Sequence, residues 1–255
     1  ADDIQNLDEA PSLLAKKTSS LITWLRMLLG DAQMTVQEVG DLNICITRMY
    51  NDFGITDDNE SIWADASHTK LKTMPIISNL LDEIKKTGTL ERVVSVLNIW
   101  VYGSCSNMNG QTNVDLENKT IAADINEDLI GEDLLPGFMY IAFDLFYDMA
   151  KRDKNEYCAL ALDEVWKMLS NPMCGKQIFK MIKILRAYET SVITATQDIE
   201  DYAKNEYGRS ILTLSAIKIF LKVNSDEIKA LGDSIELSDY NKELIQQIPS
   251  GFGFV

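Results

Sequence analysis

The chain has 255 residues, of which 46% are hydrophobic and 25% charged, apolar material enough for one large domain or two small ones. A formal net charge of −15 repels phosphate backbones, and no Lys/Arg stripe with interleaved aromatics offsets it, so direct nucleic-acid binding by this segment is disfavoured. With one histidine, His68, there is little material for a His-based zinc site or a Ser-His-Asp triad.

In chain order, residues 1–11 are polar, acid-rich and without period, an irregular lead-in. Leu13, Leu14, Leu21, Ile22, Leu25, Leu28 and Leu29 then recur at helical spacing up to Gly30. Thr35 with Glu38 three residues on spells a capping box for a second helix. The polar connector from Gly54 to Ser67 holds Asp57-Asp58-Asn59-Glu60, which lacks the alternating acids and central glycine of a calcium loop and reads as solvated; His68 near its end reads as a helix-start residue. Thr73 and Pro75 open a third helix to Lys86, stopped by Gly88, and Thr89 caps a fourth. Residues 12–112 are thus expected as an all-α helical domain, closed by the turn-rich run from Ser104 to Asn113.

From residue 113 to 255 strand and helix alternate. Strands are expected at Thr120–Ile125, Tyr157–Leu162, Val192–Ala195, Ala216–Val223 and Gly253–Val255. Helices are expected at Leu134–Ala150, Glu164–Leu169 and Gly175–Ala187, and from about Asp198, Arg209, Ser225 and Ser238. Such alternation means parallel strands joined by helical crossovers, a RecA-like α/β core. Cys45, Cys105, Cys158 and Cys174 show no CxxC spacing and are expected as reduced thiols of a cytosolic protein. No signal peptide is evident, and no apolar run approaches the roughly 18 residues of a membrane span.

The chemistry concentrates at two strand ends. The apolar run from Tyr157 to Leu162 ends on Asp163-Glu164, and the run from Val192 to Ala195 ends on Thr196-Gln197. Open α/β sheets bind ligands at the carboxyl ends of their strands. In a Walker B strand the Asp serves Mg²⁺, the following Glu polarises the attacking water, and a Gln on the neighbouring strand can sense the γ-phosphate. Acids at a strand end also serve as plain helix caps, so the paired carboxylates alone leave both readings open.

LALDEVWKML, the helix ending ILRAYETSVITATQDIEDY, and the strand after it resemble the carboxyl-terminal ATPase domain of the VirB4/TraE/TraC family, the motor ATPases of conjugative and type IV secretion systems. Ser19–Asp31 and Met74–Ile84 resemble helices of that family's helical insertion. The resemblance implies an incomplete RecA-like P-loop NTPase core plus an all-α insertion domain. It implies ATP and Mg²⁺ as cofactors, Asp163 at the metal, Glu164 as the water-activating base, Gln197 as the γ-phosphate sensor and Arg186 as an arginine finger, with Arg209 the second candidate. It further implies a homo-oligomer, a hexamer, peripheral to the cytoplasmic face of the bacterial membrane among other type IV secretion components.

One expected motif is missing. A P-loop needs GxxxxGK[ST], and these 255 residues contain none; Gly175-Lys176 is followed by Gln177 and lies after the Asp-Glu strand. The chain therefore reads as a fragment beginning after the Walker A segment, inactive alone. Two other readings remain open here: a nucleotide-free helical adaptor for protein partners, and a DNA-pumping ATPase segment of the HerA/FtsK type.

Overall fold

The computed structural model describes residues 11–30, 33–113, 118–125, 130–131, 133–151, 157–232, 235, 237–249 and 251–255; apart from Pro11, the expected lead-in lies outside them. The chain divides into two compact units, Ala1–Phe138 and Met139–Val255.

In the first unit, α1 (Leu13–Leu28) starts where Ser12 Oγ accepts the Ala15 N–H at 3.0 Å, satisfying a donor that the helix itself cannot. The capping box of α2 (Val36–Asp52) forms as spelled: the Glu38 N–H donates to Thr35 Oγ1 at 3.2 Å and the Thr35 N–H to Glu38 Oε2 at 2.8 Å. Arg92 Nη2, on α4 (Glu91–Val101), donates to both Glu38 oxygens at 2.9 Å, so the capping carboxylate also ties α4 to the start of α2. The Thr35 amide first and Arg92 second hold the Glu38 carboxyl below its ordinary value. Between them, α3 (Ile77–Thr87) ends on Gly88 at φ 65°, the left-handed stop that glycine adopts without a Cβ penalty. Leu25, Leu42, Ile46, Leu81, Ile84 and Leu97 are fully buried, each stabilising the helical packing by roughly 1.5–3 kcal/mol, and Trp100 is fully buried among them. Trp24 meets Trp100 edge-on at 5.0 Å.

Three local expectations change in this unit. The third helix begins at Ile77 rather than Pro75, with Asn79 Oδ1 accepting the Ile76 N–H at 2.8 Å. Thr89 does not cap α4: its hydroxyl lies 2.8 Å from that of Thr87, and the chain enters the helix through Leu90 at φ 66°. His68 starts no helix, because the chain is still in a hairpin closed by the Trp63–Leu71 bridge. There His68 sits at φ 55°, stacks on Trp63 with ring centroids 5.0 Å apart, and places Nε2 2.6 Å from Glu60 Oε2.

In the second unit, β1 (Cys158–Leu162) pairs in parallel with β2 (Thr190–Thr194), from Cys158 opposite Thr190 to Leu162 opposite Thr194. Between them come α6 (Val165–Leu169) and α7 (Pro172–Leu185), the helical crossover that a parallel pair requires. The helix α5 (Leu135–Ala150) precedes β1 and begins in the first unit. Asn171 Oδ1 accepts the Met173 and Cys174 N–H groups, and Pro172 sits at the first helical position, so α7 starts three residues before the expected Gly175. Gly175 instead lies where a Cβ would come within 2.6 Å of Tyr207 Cδ2, letting the next helices approach. These are α8 (Ile199–Lys204) and α9 (Glu206–Leu214), followed by α10 (Ser225–Gly232) and α11 (Asp239–Gln247). Asn205 works twice: its Oδ1 accepts the Tyr207 N–H at 2.9 Å and its Nδ2 donates to the Leu169 carbonyl at 2.7 Å, joining the start of α9 to the end of α6.

Three expected strands are corrected. Residues 120–125 form none, because an extended segment persists only where its backbone groups find a ladder partner. Ala216–Val223 and Gly253–Val255 reduce to one antiparallel bridge, in which Phe220 and Phe254 exchange two 2.8 Å backbone hydrogen bonds. Phe220, Val223 and Phe254 pack on Ile228, Ile245 and Ile248, while Ile217, Ile219 and Leu221 remain exposed. Of the cysteines, Cys45, Cys105 and Cys174 are buried and Cys158 is exposed; all four are free.

Candidate functional site

The carboxyl ends of β1 and β2 lie side by side, because the register sets Leu162 opposite Thr194. Pairing continues past the strands: the Ala195 N–H donates to the Leu162 carbonyl at 2.9 Å and the Val165 N–H to the Ala195 carbonyl at 3.1 Å. Those two bonds clamp the Asp163-Glu164 turn to the segment entering Thr196-Gln197.

Glu164 occupies the left-handed region, φ 48° and ψ 40°, which costs a side-chain-bearing residue roughly 1–2 kcal/mol and persists where its surroundings enforce it. The enforcing contacts are visible. Asp163 Oδ1 accepts the Glu164 N–H at 3.0 Å, the Glu164 carbonyl accepts the Lys167 N–H at 3.1 Å, and Val165 and Leu169 anchor α6 with 0% and 1% exposure. Glu164 Oε2 accepts the indole N–H of Trp166 at 2.7 Å. Asp163 is exposed and Glu164 half-buried, so both carboxylates are reachable from solvent.

On the neighbouring segment, Thr196 Oγ1 donates to the Asp198 carbonyl at 3.1 Å, and Asp198 Oδ1 caps α8 through the Asp201 N–H at 2.9 Å. Gln197 is exposed between them. Behind it Tyr202 is buried; burial pushes its hydroxyl up and a hydrogen bond with Thr194 opposes that shift.

Arg186 does not join this group. It is the exposed C-cap of α7, four residues ahead of β2, so it stands at the amino end of the strand pair. Five strand residues, about 16 Å at about 3.3 Å each, separate that end from the acids. Arg209, exposed on α9, follows Gly208 and donates its backbone N–H to the Asn205 carbonyl at 3.0 Å. Trp166 is a functional contact that the sequence does not announce: its donation to Glu164 depends on the left-handed turn, which no local pattern signals.

The TraG P-loop domain, a described protein family, matches residues 68–251, which include both strands and every residue named above. The chain belongs to the TraG P-loop domain family. Ten chains among solved structures match this TraG-family chain. One is VirB4 of Thermoanaerobacter pseudethanolicus, 21% identical, with a TM-score of 0.76; the match covers 95% of this chain and 66% of that one. At that identity the likeness is one of fold, and it assigns the TraG-family chain to the RecA-like P-loop NTPase architecture of VirB4. This chain thus spans a little under two thirds of the length of the VirB4 chain it matches. No curated protein matches it.

Proposed function

We propose that this TraG-family chain is the hydrolytic side of a type IV secretion motor ATPase, coupling ATP hydrolysis to substrate transfer or apparatus assembly. The observation that carries this reading is the clamp at the carboxyl ends of β1 and β2, which sets Asp163-Glu164 beside Thr196-Gln197.

Asp163 fits a Mg²⁺ role of one particular kind. A single exposed carboxylate directly after β1 can add to a cation whose other ligands are phosphate and water, the usual condition of Mg²⁺. When bound, the ion neutralises charge on the phosphates. Glu164, fixed in its turn, orients a water and takes its proton. Gln197 lies three residues past β2, on the segment that the Ala195 bonds hold beside the acids, and is assigned to report the γ-phosphate.

The phosphates of ATP need a backbone cradle and a lysine that these 255 residues do not spell, so a P-loop segment outside them supplies both, and this chain alone turns over no ATP. Arg186 cannot serve its own Glu164 from the far end of the strand pair. We assign it to a neighbouring copy, which requires an oligomeric working form; the hexameric ring is the arrangement that the secretion-motor reading brings with it. Among the described residues no helix is long and apolar enough to cross a membrane; the peripheral place on the cytoplasmic face beside other secretion components is the one that the secretion-motor reading brings with it.

The test is Glu164→Gln in the parent protein that joins this chain to its P-loop. Phosphate release falls by at least about 100-fold, the scale of a lost general base, while nucleotide binding is retained. Turnover equal to that of the unsubstituted protein overturns the assignment.

A further inference from the structure

We infer that Trp166 is a positioning residue for the water-activating carboxylate of Glu164; this rests on the ATPase reading above and assigns that site a part it did not have. The indole Nε1–H donates to Glu164 Oε2 at 2.7 Å, within the range of a charge-assisted bond.

Anchoring of α6 does not account for this tryptophan. Val165 and Leu169, at 0% and 1% exposure, seat the helix, and Asn205 closes its end by donating to the Leu169 carbonyl at 2.7 Å, whereas Trp166 stays half-buried on the side of Glu164. The backbone of Glu164 is already committed to the left-handed turn by the Asp163 carboxylate and by the Val165 bond to Ala195. What remains loose is the carboxylate itself, on a side chain with three rotatable bonds. The indole removes that freedom by tying Oε2, and it leaves Oε1 as the oxygen that can accept a proton. A neutral donor suits the task, because it orients the carboxylate without supplying a proton. The Lys167 ammonium stands 5.9 Å from the Trp166 ring centroid, on the same short helix.

A packing role and a hydrogen-bonding role rank two substitutions oppositely. Phe keeps an aromatic ring and loses the donor; His is smaller but carries Nε2 at the same three-bond remove from Cβ as the indole nitrogen. If Trp166 positions Glu164, Trp166→Phe in the parent protein lowers kcat roughly 10- to 100-fold with KM unchanged, the scale of a misplaced reacting group, and Trp166→His restores part of the loss. A second measurement needs no turnover. In this chain, labelled with ¹⁵N, Trp166→Phe identifies one of four indole N–H resonances; Glu164→Ala then moves that resonance and speeds its exchange, leaving those of Trp24 and Trp100 in place as a check on folding. A Trp166 resonance indifferent to Glu164→Ala, or Phe equalling or exceeding His in kcat, overturns the positioning role. Failure of the ATPase reading is separately visible: the parent protein releases no phosphate, or its Glu164→Gln variant releases it at the full rate.

Discussion

Val165 and Ala195 share a backbone hydrogen bond of 3.1 Å, and through it the turn that carries the paired acids is held to the segment that carries Gln197. Its companion, Ala195 N–H to the Leu162 carbonyl at 2.9 Å, makes Ala195 donor and acceptor to the same strand end. One small residue thereby sets the spacing of the candidate site.

Replacing Ala195 by proline tests that clamp. Proline removes the N–H, leaving the carbonyl of Leu162, a residue only 5% exposed, without its partner, at a cost of about 1–3 kcal/mol. Ala195→Ser keeps both bonds at an exposed position and changes stability by less than about 0.5 kcal/mol. Urea midpoints of the two variants separate accordingly, the proline variant unfolding at the lower concentration.

Much of this arrangement is legible in the amino-acid sequence, and the remainder has identifiable causes. Thr35 with Glu38, and an apolar run ending on Asp163-Glu164, are local signals, since a helix cap and a buried strand are each written within a few residues. Trp166 was not legible, because its donation to Glu164 depends on a left-handed backbone that the strand clamp enforces. The strand expected at 120–125 failed for a related reason: extended propensity counts only when a neighbouring strand accepts the backbone groups. Asn171 and Pro172 spell the helix start, three residues ahead of the expected Gly175, whose role lies in letting Tyr207 come close.

The hairpin around His68 carries an acid-sensitive element with a defined sign. Asp65 Oδ1 accepts the backbone N–H groups of Ser67 at 3.0 Å and Thr69 at 3.1 Å, and its oxygens also accept both hydroxyls. The Thr69 amide is the largest cause, followed by the Ser67 hydroxyl, and together these bonds lower the carboxyl from 3.8 to about 2. A depressed folded value means that the charged form stabilises the hairpin. That contribution is complete above about pH 4 and is lost as the pH falls through about 2. Trp63, bridged to Leu71 across the hairpin, reports the change by its emission. The difference between the wild-type titration and that of Asp65→Asn contains a step between about pH 4 and about pH 2; identical curves remove Asp65 from the role.

Two glycines in helices respond oppositely to a methyl group. Gly40 is exposed within α2, without positive φ, and a Cβ there meets nothing within 4 Å. Gly40→Ala lowers the entropy that folding must overcome and raises stability by about 0.5–1 kcal/mol. Gly208 lies in the first turn of α9, where a Cβ would stand 2.0 Å from the Tyr202 carbonyl oxygen and 3.4 Å from Leu169 Cδ1. The first obstacle is backbone, and α9 cannot slide away easily because Asn205 holds its start to the end of α6. Gly208→Ala therefore costs at least about 1–3 kcal/mol. Urea denaturation moves the midpoint up for Gly40→Ala and down for Gly208→Ala. The loss at Gly208 extends to the Trp166 indole resonance, since α6 takes its position from the same contact.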